Sequence, residues 1–256
     1  TIALLVMGVF LVNGESINGE ATGVPRLLWN TLCCTCFILI WNTYPKTTNP
    51  YLIYILRGVA MVALLILAIN YRGGPDDAIY YFDTHWWGIL GLIGWAYLAS
   101  GLVTVLSKNN FYTILGAWIF FAVLSMLYHA DYVPDALNFI PNAILGGTLA
   151  GLTMGGVLTS MIFQHYRTKG DNKMLSIVFI SISVGLIILS IITRPYWGLA
   201  KLGATPAWLF LCSAFTILAF LVIYWLTDVY KKSNWFNVVK PARTDTLLCY
   251  LIPYFA

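Results

Sequence analysis

The chain has 256 residues, of which 60% are hydrophobic and only 9% are charged. Because a soluble domain usually carries about 25% charged residues, this composition excludes an ordinary soluble protein and predicts an integral membrane protein in contact with a lipid bilayer. The formal net charge is +4, from 14 basic and 10 acidic residues, and the sequence has no clustered basic stretch of the kind that binds nucleic acid.

Apolar runs for about nine transmembrane helices follow one another, since a spanning helix needs about 20 mostly apolar residues. They are 1–12, 24–42, 50–69, 86–106, 112–129, 141–163, 174–193, 206–227 and 243–256. The first and last runs are short, so we expect a piece of a longer protein, with at least one helix before Thr1 and a further C-terminal end. Short connections rich in turn residues join the runs. The sequence therefore predicts an all-α, polytopic membrane helical bundle that forms one domain over 1–256.

The charges in the loops predict an orientation for this bundle. Loops on one side carry eight basic residues, and loops on the other side carry four basic residues together with most of the acidic ones. The eight are Lys46, Lys108, Arg167, Lys169, Lys173, Lys231, Lys232 and Lys240. Because basic loops tend to stay inside, we expect this side to be cytoplasmic and the loop at 70–85 to face the periplasm or another external compartment.

Three of the five cysteines lie together in the second apolar run, as Cys33, Cys34 and Cys36. Such a cluster is one way to build a metal site, but no histidine or acidic residue lies nearby in the sequence. Buried cysteine commonly behaves as a small hydrophobic residue. We therefore predict that these cysteines bind no metal.

Arg57 is the one basic residue well inside a predicted span, about seven residues from its cytoplasmic end. An ionisable group at that depth is costly unless it is paired, faces a wet cavity or snorkels. At about 1.5 Å per residue it lies about 10 Å deep, from where snorkelling is feasible. Alternatively, its fixed charge could bind a phosphate or carboxylate that enters from the cytoplasm.

The run at 86–106 begins with paired tryptophans and three regularly spaced glycines. Trp86 and Trp87 fit a membrane–water interface, where amphipathic rings settle at headgroup depth. Gly88, Gly91 and Gly94 recur every third residue and leave one helix face without side-chain bulk. A neighbouring backbone can approach such a face closely, so we expect these glycines to lie in a helix–helix contact.

His85 is the strongest candidate for a general base in the sequence, because histidine both accepts and donates a proton near neutral pH. Asp83, two residues away, could orient its ring. The alternative is that both are ordinary interfacial residues beside the tryptophans.

A second glycine ridge lies in the run at 141–163, where Gly147, Gly151 and Gly155 are spaced four residues apart. This pattern of small residues marks a tight helix–helix contact. We favour a contact inside the chain, and a contact with a second copy, as in a homo-oligomer, is the alternative.

Asp245 begins the last run, between two threonines, one of which is Thr246. An acidic residue in a first helical turn is stabilised by the helix dipole, so a capping role is favoured. As a functional group, Asp245 could instead pair with Arg57, since both are expected near the cytoplasmic face.

Several segments resemble the heparan-alpha-glucosaminide N-acetyltransferase family of transmembrane acyltransferases, especially its bacterial DUF5009 branch. The segment Gly88-Ile-Leu-Gly-Leu-Ile-Gly-Trp-Ala-Tyr97 is similar to the family's Gly-Val-Leu-Gln-Arg-Leu-Gly-x-x-Tyr. Similar pieces follow in the same order at 144–156, 205–228 and 244–250. This chain has Gly91-Leu92 where the family has Gln-Arg, and Asp245 where it has Asn. The family's catalytic histidine corresponds to a position before Thr1, so His85 is an independent candidate.

The resemblance implies transfer of an acetyl group from acetyl-CoA, bound from the cytoplasm, to a sugar reached from outside. We therefore expect a bacterial inner-membrane acyltransferase-like protein, with Arg57, Asp245 and Thr246 as candidate contacts for acetyl-CoA. Asp83 and His85 are the candidate catalytic residues. Two alternatives stay open: a secondary transporter, in which intramembrane charges mark a substrate path, and a non-catalytic subunit that binds a partner through its glycine ridge.

Overall fold

The computed structural model describes residues 1–255, with every side chain except those at positions 243 and 244. Over this part the chain is helical and contains no β-strand. The helices of the first half are α1 Ile2–Glu15, α2 Gly19–Thr22, α3 Arg26–Trp41, α4 Pro50–Asn70, α5 Gly88–Leu106 and α6 Phe111–His129. Those of the second half are α7 Asn142–Leu145, α8 Thr148–Lys169, α9 Asn172–Trp197, α10 Pro206–Tyr224, α11 Lys240–Thr244 and α12 Thr246–Leu251. A π-helical segment, Trp225–Val229, extends α10, and short 3₁₀ segments cover Asp135–Leu137, Ser233–Val239 and Ile252–Phe255.

Among the described residues, five helices are long and apolar enough to cross a membrane, so the expected membrane protein is confirmed while nine spans are not. They are α4, α5, α6, α9 and α10 with its π-helical extension. Only 11% of the apolar window of α4 is buried within the protein, so most of its side chains are available to lipid.

The other four predicted spans are short or interrupted. The runs at 1–12 and 24–42 form α1 and α3, with 14 and 16 residues. The run at 141–163 is broken between α7 and α8, because Gly147 has φ +69° there and so leaves the helical conformation. The run at 243–256 is divided at Asp245, whose φ of −126° and ψ of 50° are not helical.

The described chain folds into two compact units, Thr1–Gly94 with Phe236–Ala256, and Trp95–Trp235. The first unit has an aromatic core in which Phe10, Trp29, Phe37 and Tyr71 are buried. The three clustered cysteines also lie in this core. The main core of the second unit joins α9 to α10 through side chains such as Phe179 and Phe210.

The glycines at the start of α5 lie against α1. A Cβ atom added to Gly88 would lie 2.7 Å from the carbonyl oxygen of Gly8, and one added to Gly94 would lie 3.2 Å from Cβ of Leu4. Gly8, a single glycine in an apolar run with no ridge pattern of its own, faces the backbone of Gly91. The two helices therefore cross with their backbones in direct contact.

The second glycine ridge packs within the chain. A Cβ atom on Gly151 would lie 3.3 Å from Leu209 of α10, and one on Gly155 would lie 3.2 Å from the ring nitrogen of Trp118 in α6. Gly147 faces the backbone of α6 at Phe121. All three glycines of the ridge therefore contact other helices of this chain, which is the contact that the sequence favoured.

Candidate functional site

The loop between α4 and α5 is fastened to the segment that follows α1. The amide of Asn18 donates a hydrogen bond to the carbonyl of Arg72 at 2.9 Å, and the amide of Gly74 donates to the carbonyl of Ser16 at 2.9 Å. Two further 2.9 Å backbone hydrogen bonds pair Gly73 with Tyr80. These bonds bring the C-terminal ends of α1 and α4 together and fix the backbone that precedes His85.

Asn13 is the buried anchor of this loop, with 0% of its surface exposed. Its Nδ2 donates to the carbonyl oxygens of Val9 at 2.7 Å and Asp83 at 2.6 Å. Its Oδ1 accepts from the Asp83 amide at 3.4 Å and lies 3.2 Å from Nε2 of His85. One amide side chain therefore joins α1 to both candidate catalytic positions.

Tyr71 supports Asn13 from below and is itself fully buried. Its hydroxyl donates to the backbone carbonyl of Asn13 at 2.9 Å and lies 3.2 Å from Oγ of Ser16. Burial raises the pKa of Tyr71, because the phenolate would be poorly solvated there, and the nearby Ser16 hydroxyl offsets part of this effect.

His85 lies on the wall of a cavity of about 550 Å³, lined by Tyr80, Tyr81, Phe82, Asp83 and His85. The imidazole is exposed and packs edge-to-face against the ring of Tyr80, with 5.3 Å between ring centroids. His85 and Trp87 have φ values of +46° and +70°, so both adopt the left-handed backbone conformation that residues other than glycine rarely adopt. For this reason α5 begins at Gly88, and the two tryptophans precede it.

Asp83 does not take the orienting role expected from its spacing. Its carboxylate accepts a 2.7 Å hydrogen bond from the backbone amide of Thr84, and the side chain that accepts a hydrogen bond from the His85 ring is that of Asn13. In the sequence Asn13 directly follows the predicted run at 1–12, a place where asparagine commonly caps a helix. Its partners lie about 70 positions away, so spacing could not identify them.

Arg57 lies in the N-terminal half of α4, away from the end that precedes the His85 loop. There it contacts the loop that follows α3. Its Nη2 donates to the carbonyl of Asn42 at 3.4 Å, and its guanidinium lies 5.7 Å from the ring centroid of Tyr44. Its Nε is buried without a hydrogen-bond partner among the described residues. The carbonyl at the end of a helix is a favourable neighbour for a cation, so the guanidinium is directed toward the α3 terminus.

Asp245 and Thr246 lie at the start of α12, as the sequence predicted for the last run. Asp245 occupies the N-cap position, and its carbonyl accepts a 3.0 Å hydrogen bond from the amide of Cys249. Its pairing with Arg57 stays a prediction.

The remaining histidines have different surroundings. Nδ1 of His129 lies 2.8 Å from the carbonyl of Ser125, and its Nε2 lies 2.8 Å from that of Gly203, so both ring nitrogens already face acceptors. His165 lies near the end of α8, beside a second cavity of about 570 Å³. Of the three histidines, His85 alone combines a cavity with aromatic walls and a hydrogen bond to a buried side-chain oxygen.

No family model, curated protein or solved structure matches the chain. The fold alone does not define an activity, since one helical architecture serves many functions. The chemistry of the His85 cavity and the resemblance of the sequence segments are therefore the basis for a proposed function.

Proposed function

We propose that the chain is the core of a membrane-embedded acyltransferase that moves an acetyl or acyl group from acyl-CoA to a sugar. In this proposal the lysine-rich loops face the cytoplasm of a bacterial cell, the membrane is the inner membrane, and the His85 cavity opens on the external side. The observation that carries the proposal is the exposed imidazole of His85, held on a cavity wall by the fully buried Asn13.

The cavity lining suits a sugar acceptor. Tyr80 and Tyr81 offer rings against which the apolar face of a sugar can pack, and the carboxylate of Asp83 can accept hydrogen bonds from its hydroxyl or amino groups. The cavity is open to its surroundings, and all its lining residues lie within positions 80–85 of one loop, so a sugar can reach it directly.

The proposed reaction needs one proton acceptor at this position. As the acceptor nitrogen or oxygen attacks the thioester carbonyl, His85 takes its proton, and the new C–N or C–O bond forms. The C–S bond then breaks, and the CoA sulfur leaves with the proton that the imidazolium returns. The imidazole ends the cycle neutral, with the acyl group on the sugar and free CoA as the second product.

Arg57 is the proposed anion contact for acyl-CoA on the cytoplasmic side, with Asp245 and Thr246 as further candidates. Arg57 lies thirteen residues before Asn70, the last residue of α4, which corresponds to about 20 Å along a helix axis. An acyl-CoA that places its phosphates near Arg57 therefore has to extend its thioester arm along most of α4 to reach the His85 end.

The test is acetyl transfer by the purified full-length protein in lipid nanodiscs, with radiolabelled acetyl-CoA and a panel of amino and hydroxy sugars. We expect labelled sugar with the wild type and a loss of about 10²–10⁴-fold in kcat/KM for His85→Gln, the range typical of a general base. His165→Gln, on α8, is the matched control and should retain full activity. Neither CoA binding nor transfer to any sugar, or an active His85→Gln, would contradict the proposal.

A further inference from the structure

The orientation of the Asn13 amide follows from its neighbours. The atom placed 2.7 Å and 2.6 Å from the carbonyl oxygens of Val9 and Asp83 has to be the NH₂ group, because a carbonyl oxygen in that place would face two acceptors. The oxygen is then the atom that accepts from the Asp83 amide and faces His85. Reversing the amide would place its oxygen against the carbonyl oxygens of Val9 and Asp83 and its NH₂ group against the Asp83 amide, so all three contacts with backbone groups would be lost.

This orientation determines which nitrogen of His85 carries the proton. Oδ1 of Asn13 is an acceptor only, so the ring nitrogen 3.2 Å away, Nε2, has to donate. In neutral imidazole the other nitrogen then has no proton and presents a lone pair. Among the described residues no group hydrogen-bonds to Nδ1.

From this geometry we infer that Asn13 is a positioning residue that holds His85 as the Nε2–H tautomer. Nδ1 is then the nitrogen that takes the proton from the attacking amino or hydroxyl group of the sugar. The inference rests on the proposed function for the role of Nδ1, whereas the tautomer itself does not depend on it. Asn13 acts through His85 and not on the substrate.

The arrangement suits a base that is protonated and deprotonated in every cycle. Nε2 donates to Asn13 in both the neutral ring and the imidazolium, so the hydrogen bond persists when Nδ1 gains a proton. The ring therefore need not turn during the cycle. The 0% exposure of Asn13 keeps water from competing for its oxygen.

The direct test of the tautomer is ¹⁵N NMR of the full-length protein labelled at histidine and held in nanodiscs, at a pH where the ring is neutral. His85→Gln identifies the His85 signals by their absence. We expect a protonated Nε2 and a bare Nδ1 in the wild type. A protonated Nδ1 would overturn the inference and leave the proposed acyl transfer standing.

Two variants of Asn13 test whether its side chain determines the tautomer of His85. Asn13→Asp keeps an oxygen that faces Nε2 and should retain the Nε2–H tautomer, although it loses the two donated hydrogen bonds. Asn13→Leu removes the acceptor, and we expect a mixture of tautomers. An unchanged tautomer in Asn13→Leu would overturn the positioning role, and if that variant fails to fold, loss of the Nε2–H tautomer in Asn13→Asp would do so.

A pair of substitutions at His85 separates its hydrogen bond to Asn13 from its role as the base in acetyl transfer. The amide nitrogen of His85→Gln reaches roughly the place of Nε2 and can still donate to Asn13, whereas that of His85→Asn lies near Nδ1. We expect His85→Gln to keep wild-type thermal stability with at least a 100-fold loss of acetyl transfer. His85→Asn should lose both. If the wild type shows the Nε2–H tautomer and His85→Gln remains active, the proposed function fails and the tautomer stands.

Discussion

The crossing of α1 and α5 at Gly8 predicts that Gly8→Ala lowers the stability of the protein. In Gly8→Ala the new methyl group meets the amide nitrogen of Gly91 and the carbonyl oxygen of Trp87, and it lies 2.7 Å from Cα of Gly91. All three are backbone atoms, which cannot rotate away as a side chain can. Carbon atoms normally approach to about 3.5–4.0 Å, so the two helices have to separate by about 1 Å.

The expected cost follows from two opposing effects. Overpacking a close contact costs about 1–3 kcal/mol, and the upper end applies here because backbone meets backbone. Replacing glycine by alanine inside a helix returns about 1 kcal/mol. The net destabilisation is therefore about 2 kcal/mol, which corresponds to a fall in Tm of about 4–8 °C for a chain of this size.

The matched control is Gly58→Ala in α4, where an added Cβ atom meets no other atom within 4 Å. The propensity effect alone then applies, and we expect a stability equal to or above that of the wild type. Thermal unfolding of both purified variants in the same detergent measures the difference. If Gly8→Ala is as stable as Gly58→Ala, the helices do not cross at Gly8 and the packing argument is wrong.

Three further predictions test other parts of the structure. Because burial raises the pKa of Tyr71 above the ordinary value of about 10, the unfolded chain loses the phenol proton first, and stability falls as the pH rises from about 10 toward the folded-state pKa. Tyr71→Phe should therefore show a shallower alkaline fall than the wild type in unfolding followed by circular dichroism, and an equal slope would contradict this. Gly155→Leu, facing Trp118, should lower the free energy of unfolding by about 1–3 kcal/mol, whereas Gly156→Leu, in open space, should not; equal thermal unfolding would count against the ridge contact. Arg57→Gln should weaken CoA binding at least tenfold by equilibrium dialysis, and unchanged binding would remove Arg57 from the donor site.

Hydropathy predicted the long helices well, because membrane-length apolar runs have few other folded solutions. The runs at 50–69 and 112–129 match α4 and α6 within one residue at each end. The prediction of one continuous helix at 141–163 was wrong. The helix is broken at Gly147, whose positive φ accompanies close packing on the backbone of α6. Hydropathy does not report such a contact, since glycine–glycine pairs also occur inside continuous helices.

The candidate site was predicted in part for a similar reason. Spacing along the chain identified His85 and suggested Asp83 as its partner, since they are two residues apart. The observed partner, Asn13, is brought in by the fold of the loop at 71–87 onto the end of α1, a contact between distant positions. Asparagine commonly caps a helix, so the presence of Asn13 near a helix end gave no separate sign that it contacts His85.

The most direct test of the central claim is acetyl transfer across a membrane of proteoliposomes with the protein in one orientation. Labelled acetyl-CoA is supplied on the side of the lysine-rich loops, and an amino sugar is enclosed on the side of His85. We expect labelled sugar only in the compartment opposite to acetyl-CoA, with the wild type but not with His85→Gln. Product on the same side as acetyl-CoA, or no product with the wild type, would contradict it.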